Sequence, residues 1–390
     1  MSAPPDSLNL DLAALVSDPA TRVVVTCGSG GVGKTTTAAA LALMAAEAGR
    51  RTVVLTIDPA LRLAQSLGLT ELDNTPREVV GVDGAAGGQL FAMMLDMKRT
   101  FDDVVAEHTT PERAQAIFDN PFYKSLSSSF AGTQEYMAME KLSQLRLSDE
   151  WDLVVVDTPP SRSALDFLDA PQRLGRFLDG RMIRLLAAPA RAGGKAYLKV
   201  VSASFSIFSR LLDRILGGEL LRDVSSFVSA LETMFGGFRE RAQQTYELLK
   251  APGTAFVVVA VPETAALREA SYFVARLGAD TMPLAGILIN RVAQPAVPEL
   301  SATRASAAAE DIDRAQHGLP ADAPNPVDAA VAVAALRAQV ETAGALDAQS
   351  RLIRRLRIAH PGVAMRTVAE MASDIHDLAG LREIGDSLRS

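Results

Sequence analysis

The chain has 390 residues, 48% hydrophobic and 22% charged, and a formal net charge of −7. That composition describes a globular chain with a large core rather than a disordered one, and the length suggests about two to three domains. The acidic balance offers no basic face for nucleic acid, and the single cysteine, Cys27, excludes an internal disulfide or a cysteine-built metal site within one chain.

The N-terminal residues lack the basic and long apolar regions of a signal peptide. No run of about 18 apolar residues is free of charge, so a transmembrane span is not expected and a cytoplasmic location fits. Residues 23–26 are a β-branched run that leads into a glycine loop. Residues 35–48 are rich in Ala and Leu and predict a helix stopped by Gly49. A second buried strand, 52–57, closes on Asp58-Pro59, and a third, 153–156, also runs into Asp and Pro. Between them, residues 98–150 read as mainly helical. Residues 171–250 contain no convincing strand; Val201, Phe205, Phe208, Leu212 and Ile215 form one apolar stripe at helical spacing, and Val224, Phe227, Leu231, Met234 and Phe238 form another. Strands follow at 255–261 and 284–289. An Ala- and Pro-rich mobile connection is expected at 295–326, then a helix at 327–358 broken near Gly344, and a last strand at 363–368. Continuous apolar strands alternating with helices predict an α/β fold, a doubly wound and mostly parallel sheet with an appended helical subdomain. The expected division is a core at 20–170 with a helical insert at about 98–150, the subdomain at 171–250, and the rest of the core at 251–390.

Gly28 to Thr36 read G-S-G-G-V-G-K-T-T and satisfy the pattern G-x-x-x-x-G-K-[ST]. The motif follows a strand and opens a helix, so its backbone N–H groups and the helix dipole would face an anionic phosphate chain. Gly28, Ser29, Gly30, Gly31, Val32, Gly33, Lys34, Thr35 and Thr36 are thus candidate ATP-binding residues. Lys34 would reach the β- and γ-phosphates and the Thr35 hydroxyl would hold Mg²⁺. Asp157, at the end of the third strand, fits a metal role, directly or through water, although an Asp there also suits a turn. Asp58 ends the second strand on the side where parallel sheets bind ligands. It could orient the attacking water, or it could cap a helix with Pro59 at the first helical position; the residues alone leave both open. Cys27 reads as a small buried thiol.

The combination G-x-G-G-V-G-K-T-T, T-x-D-P-A at Thr56–Ala60 and D-T-P-P at Asp157–Pro160 resembles the ArsA family of P-loop ATPases, which carry a deviant Walker A loop. That family includes the arsenite-pump ATPase and the ATPase that targets tail-anchored membrane proteins. The resemblance runs from about residue 23 to 290 and returns weakly near the C-terminus. It implies that Asp58 is the catalytic switch I aspartate and that 157–160 begin switch II. It also implies that Glu263 and Asn290 contact nucleotide. An amide such as Asn290 suits an adenine edge, whereas Glu263 alone reads as a helix N-terminal acid. Residues 370–375 would lie beside the adenine.

Three departures bear on mechanism. The family carries a second lysine before the paired glycines, where this chain has Ser29; serine cannot offer a cation to a partner's nucleotide. A heterodimer with a homologous, lysine-bearing subunit is therefore expected, unless Arg62 or Arg162 substitutes or a homodimer suffices. One cysteine supports neither a metalloid cluster nor a CxxC zinc clamp. Leu61, Ser161, Arg162 and Ser163 depart from the family's switch residues. The function expected is a dimeric, ATP-hydrolysing switch coupled to a membrane-related client or transporter, peripheral to the membrane. A groove formed by the apolar stripes at 182–238 would take the client, unless each stripe simply packs on its neighbours. A regulatory ATP-binding subunit with little turnover is the alternative, and a small-molecule phosphotransferase a more distant one.

Overall fold

The computed structural model describes residues 8–57, 62–159 except 108, 122 and 125–132, 240–294 except 242, 297–316 except 298, and 326–389 except 372–373. The expected client-binding stripes, Asp58 and Ser161 to Ser163 lie outside the described residues.

Among the described residues one sheet is built from eight strands, β1 (Val23–Cys27), β2 (Arg51–Thr56), β3 (Arg77–Glu78), β4 (Gln89–Met94), β5 (Leu153–Asp157), β6 (Thr254–Ala260), β7 (Leu284–Val292) and β8 (Met365–Ala369). Their order is β3-β4-β2-β5-β1-β6-β7-β8. All neighbours are parallel except the edge pair β3–β4. The chain therefore winds outward to one side of β1 and later to the other, the topology in which ligands bind at the carboxyl ends of the strands near the reversal.

The β-branched runs are buried on both faces because helices cover both. Val23, Val25 and Cys27 point into one core with Phe101 and Val104 of α4 (Met97–Glu107), Ile117 of α5 (Pro111–Asp119), Met139 of α6 (Thr133–Leu147) and Phe273 of α7 (Thr264–Ala279). Val24, on the alternate face, joins a second core. There it meets α1 (Leu12–Ser17), α2 (Lys34–Glu47), Leu63 of α3 (Arg62–Ser66) and Leu381 of α10 (Leu378–Arg389). Helix α2 is buried from Thr37 to Ala46, as its all-round apolar sequence requires. The sheet covers one side of it, and α1 and α10 pack against it too.

Two expectations change. Residues 295–326, expected as a mobile connection, contain the regular helix α8 (Ala302–Gln316). Its alanines favour helix and no proline falls within it. The next helix, α9 (Pro326–Ala359), runs through Gly344 without a break. A glycine in a helix costs only about 1 kcal/mol, and here the helix also packs against α8. Ala305 and Ala309 of α8 are buried, Arg337 meets Asp313 at 2.6 Å, and Gln339 Nε2 donates to the carbonyls of Val297 and Leu300. From Val327 on, α9 is long and apolar enough to cross a membrane by length and composition; in the fold it pairs with α8 and sends Leu356 into the core.

Candidate functional site

The strand register brings the site together. Asp157 stands opposite Thr26 of β1 and Thr56 of β2, so three carboxyl ends finish level. Thr158 Oγ1 donates to the Thr26 carbonyl at 2.8 Å and Ile57 N donates to the Asp157 carbonyl at 3.0 Å, which fixes the strand ends to one another. Asp157 is fully buried. Its Oδ2 accepts from Thr35 Oγ1 at 2.7 Å and from Thr56 Oγ1 at 3.0 Å. The first hydroxyl of α2 and the strand-end carboxylate, picked out separately in the sequence, are thus direct partners.

The loop from Gly28 to Gly33 reverses the chain between β1 and α2. Gly28 has φ 152° and a Cβ there would collide with the Val259 carbonyl oxygen of the adjacent strand. Gly33 caps α2 in the left-handed region, φ 93°, and a Cβ there would strike Asn290 Nδ2. Both positions therefore demand glycine. Val32 is buried, while Gly30 and Gly31 face solvent at the crest of the loop. Lys34 is also buried, and its Nζ donates to the Ser29 carbonyl at 2.8 Å. Asn290, at the end of β7, donates from Nδ2 to the Val32 carbonyl at 3.0 Å and so braces the loop from the far side.

Two clefts flank this loop. One, of about 580 Å³, lies over the start of α2 and is lined by Gly31, Gly33, Thr35, Thr36, Asn290 and His376 among others. Glu370, Met371, Asp374 and Ile375 also line it, which puts most of the segment expected beside the adenine on its wall. The volume suits a small molecule. The other, of about 470 Å³, is lined by Ser29, Gly30, Gly31, Val32, Glu263 and Glu269 among others. Glu263 occupies the N-cap position of α7 without a side-chain cap bond and lines the smaller cleft, whereas Asn290 lines the larger one. Gln65, Ser66, Arg291 and His376 line the larger cleft and were not picked out by motif. For Arg291 the available signal was its place directly after Asn290; Gln65, Ser66 and His376 carry no spacing signal of their own.

Cys27 closes β1 beneath the loop. Burial pushes its thiol up to about 12, partly opposed by the charge of Lys34. It stays protonated at neutral pH. Among the described residues no cluster of three or more His, Cys, Asp or Glu side chains could hold a metal ion.

A parallel sheet with G-x-x-x-x-G-K-T between its central strand and a buried helix defines a P-loop nucleoside triphosphatase. Within that class, a model of the anion-transporting ATPase family matches residues 21–313, and the chain belongs to that family. It is similar to ATPase GET3 of Podospora anserina, 25% identical over 300 residues that cover 76% of this chain and 80% of the relative. ATPase ARSA2 of Chlamydomonas reinhardtii is 29% identical over 272 residues, 69% of this chain and 67% of the relative. ATPase GET3B of Arabidopsis thaliana is 26% identical over 306 residues, 72% and 66%. The chain is an ATPase, and β8 and α10 lie beyond the family match while completing the sheet and covering α2.

Proposed function

We propose that the chain binds MgATP in the cleft over α2 and hydrolyses it as one subunit of a nucleotide-driven dimer. The observation that carries the reading is the 2.7 Å hydrogen bond from Thr35 to Asp157. A hydroxyl and a carboxylate side by side are hard oxygen donors of the kind Mg²⁺ takes together with water and phosphate. When bound, the ion would neutralise charge on the β- and γ-phosphate oxygens. The N–H groups of residues 30–36 cradle the phosphates, Lys34 adds a positive charge to them, and Asn290 meets the base. Asp58, one residue beyond Ile57, orients the attacking water. Glu263 contacts nucleotide from the neighbouring cleft.

The dimer reading rests on Ser29. A neutral side chain there offers no cation across an interface, so a homologous subunit with lysine at this position completes the site. The client is a membrane-related helix or a transporter, met in the cytoplasm at the membrane surface. That reading rests on the family resemblance and on the apolar stripes of residues 182–238.

ATP turnover by the purified chain, by Ser29→Lys and by Asp58→Asn tests these assignments. We expect slow turnover alone, on the order of 10³-fold faster turnover in Ser29→Lys if the cation acts across a dimer, and unchanged ATP binding without hydrolysis in Asp58→Asn. Normal hydrolysis by Asp58→Asn would remove that residue from the mechanism. Equal rates for the wild type and Ser29→Lys would remove the lysine-bearing partner. Ser29 also favours a second reading, a regulatory subunit that binds ATP and scarcely turns it over. Tight ATP binding with no gain in Ser29→Lys, or on mixing with a lysine-bearing homologue, would select it.

A further inference from the structure

Strand β7 breaks its pairing with β8 at the cleft. Ile289 pairs with Thr367 and Val292 with Ala369, so Asn290 and Arg291 together face the single residue Val368. Two residues opposite one is a β-bulge, a device that re-aims side chains. In an unbroken strand, successive side chains point to opposite faces. Here both Asn290 and Arg291 line the larger cleft. Arg291 bears the strain of this turn, with φ 53°, a region uncommon for a bulky side chain. Its N–H donates to Asn290 Oδ1 at 2.9 Å, while Asn290 holds the P-loop.

Arg291, Gly31 and Glu370 are the residues common to both clefts. Arg291 therefore stands beside the crest of the P-loop, on the wall the two clefts share. Above Gly31 the space is open: a Cβ there would meet nothing within 4 Å. Arg291 is exposed, and among the described residues its side chain has no hydrogen-bond or ion-pair partner, although Glu370 lines the same walls. The clefts otherwise present carboxylates, Glu263, Glu269, Glu370 and Asp374, to an entering polyanion. A guanidinium matches phosphate oxygens in charge and in its forked geometry.

We infer that Arg291 is a second cation for the nucleotide's polyphosphate chain, beside Lys34, aimed by the β7 bulge. The inference rests on the reading of the larger cleft as the ATP site. It adds a binding residue that the P-loop motif does not contain.

The test is competition by ATP and ADP against a fluorescent ATP analogue at several salt concentrations, with Arg291→Ala, Arg291→Gly, Arg291→Lys and Lys34→Ala. Arg291→Ala should weaken ATP by about tenfold, the order of one charge-assisted hydrogen bond, weaken ADP less, and flatten the salt dependence. Arg291→Lys should recover part of the loss. Glycine accepts a positive φ, so Arg291→Gly should keep or raise the melting temperature while losing affinity like the alanine variant; that outcome separates ligand contact from folding. Unchanged ATP affinity in both neutral variants overturns the inference. So does an equal loss for ATP and ADP with an unchanged salt slope, which would mean that the side chain stacks on the base. If Lys34→Ala binds like the wild type, or the wild type binds no ATP, the reading of the site itself fails and takes this one with it.

Discussion

Asp157 is where the proposed site is most concentrated at the sheet end. It is buried, and two threonine hydroxyls converge on one of its oxygens. A buried carboxylate needs such donors. Asp157→Asn keeps the shape and removes the charge. It should lower Mg²⁺-dependent hydrolysis by on the order of 100-fold or more, while nucleotide affinity measured in EDTA stays within a few-fold of wild type. An equal loss of affinity with and without Mg²⁺ would mean that Asp157 only supports the loop. Cys27 gives a prediction of a different kind. Its folded-state value of about 12 lies above the ordinary 9.0, so the native state holds the proton longer than the unfolded state does. The contribution is complete below pH 9 and falls away as pH rises through the window from 9 to 12. Stability of the wild type should therefore decline more steeply across that window than stability of Cys27→Ala, as read by urea melts at each pH. Parallel declines would mean that the thiol is not buried in solution.

Gly28 and α10 make two elements testable. Gly28 leaves no room for a Cβ against the Val259 carbonyl, so Gly28→Ala must push two strands apart or distort the loop. A loss of about 1–3 kcal/mol in stability is expected, together with weakened ATP binding. Leu381 is fully buried between α10 and α2. Leu381→Ala should cost about 2–5 kcal/mol and leave the turnover of the folded protein near wild type. A large loss of turnover at unchanged stability would instead tie α10 to the chemistry. These elements also mark the limits of the sequence. Strands β1, β2, β5, β6 and β7 were legible because β-branched runs buried on both faces leave a continuous apolar signature. Strand β4 was not: its Gln89-Leu90-Phe91-Ala92-Met93-Met94 lacks β-branched residues and follows a glycine-rich turn. Helix α10 carried a readable signal in Leu381, Ile384, Gly385 and Leu388, spaced as one helical face.

Across the molecule, the phosphate loop was legible because its chemistry is local: nine consecutive residues specify a turn, a helix start and a charge. Asn290 was reached by resemblance, and its bond to Val32, 258 positions earlier in the chain, comes only from sheet order. Arg291 depends further on a bulge that no periodicity encodes. The two-sided winding puts β5 between β1 and β2 and thereby sets Asp157 beside Thr35. The proposed function rests on that juxtaposition serving a nucleotide. Calorimetric titration of MgATP into the wild type and Lys34→Ala examines it most directly. The wild type should bind one MgATP per chain, and the variant, folded by circular dichroism, should bind at least about 100-fold more weakly. Equal affinities would contradict a phosphate site at this loop.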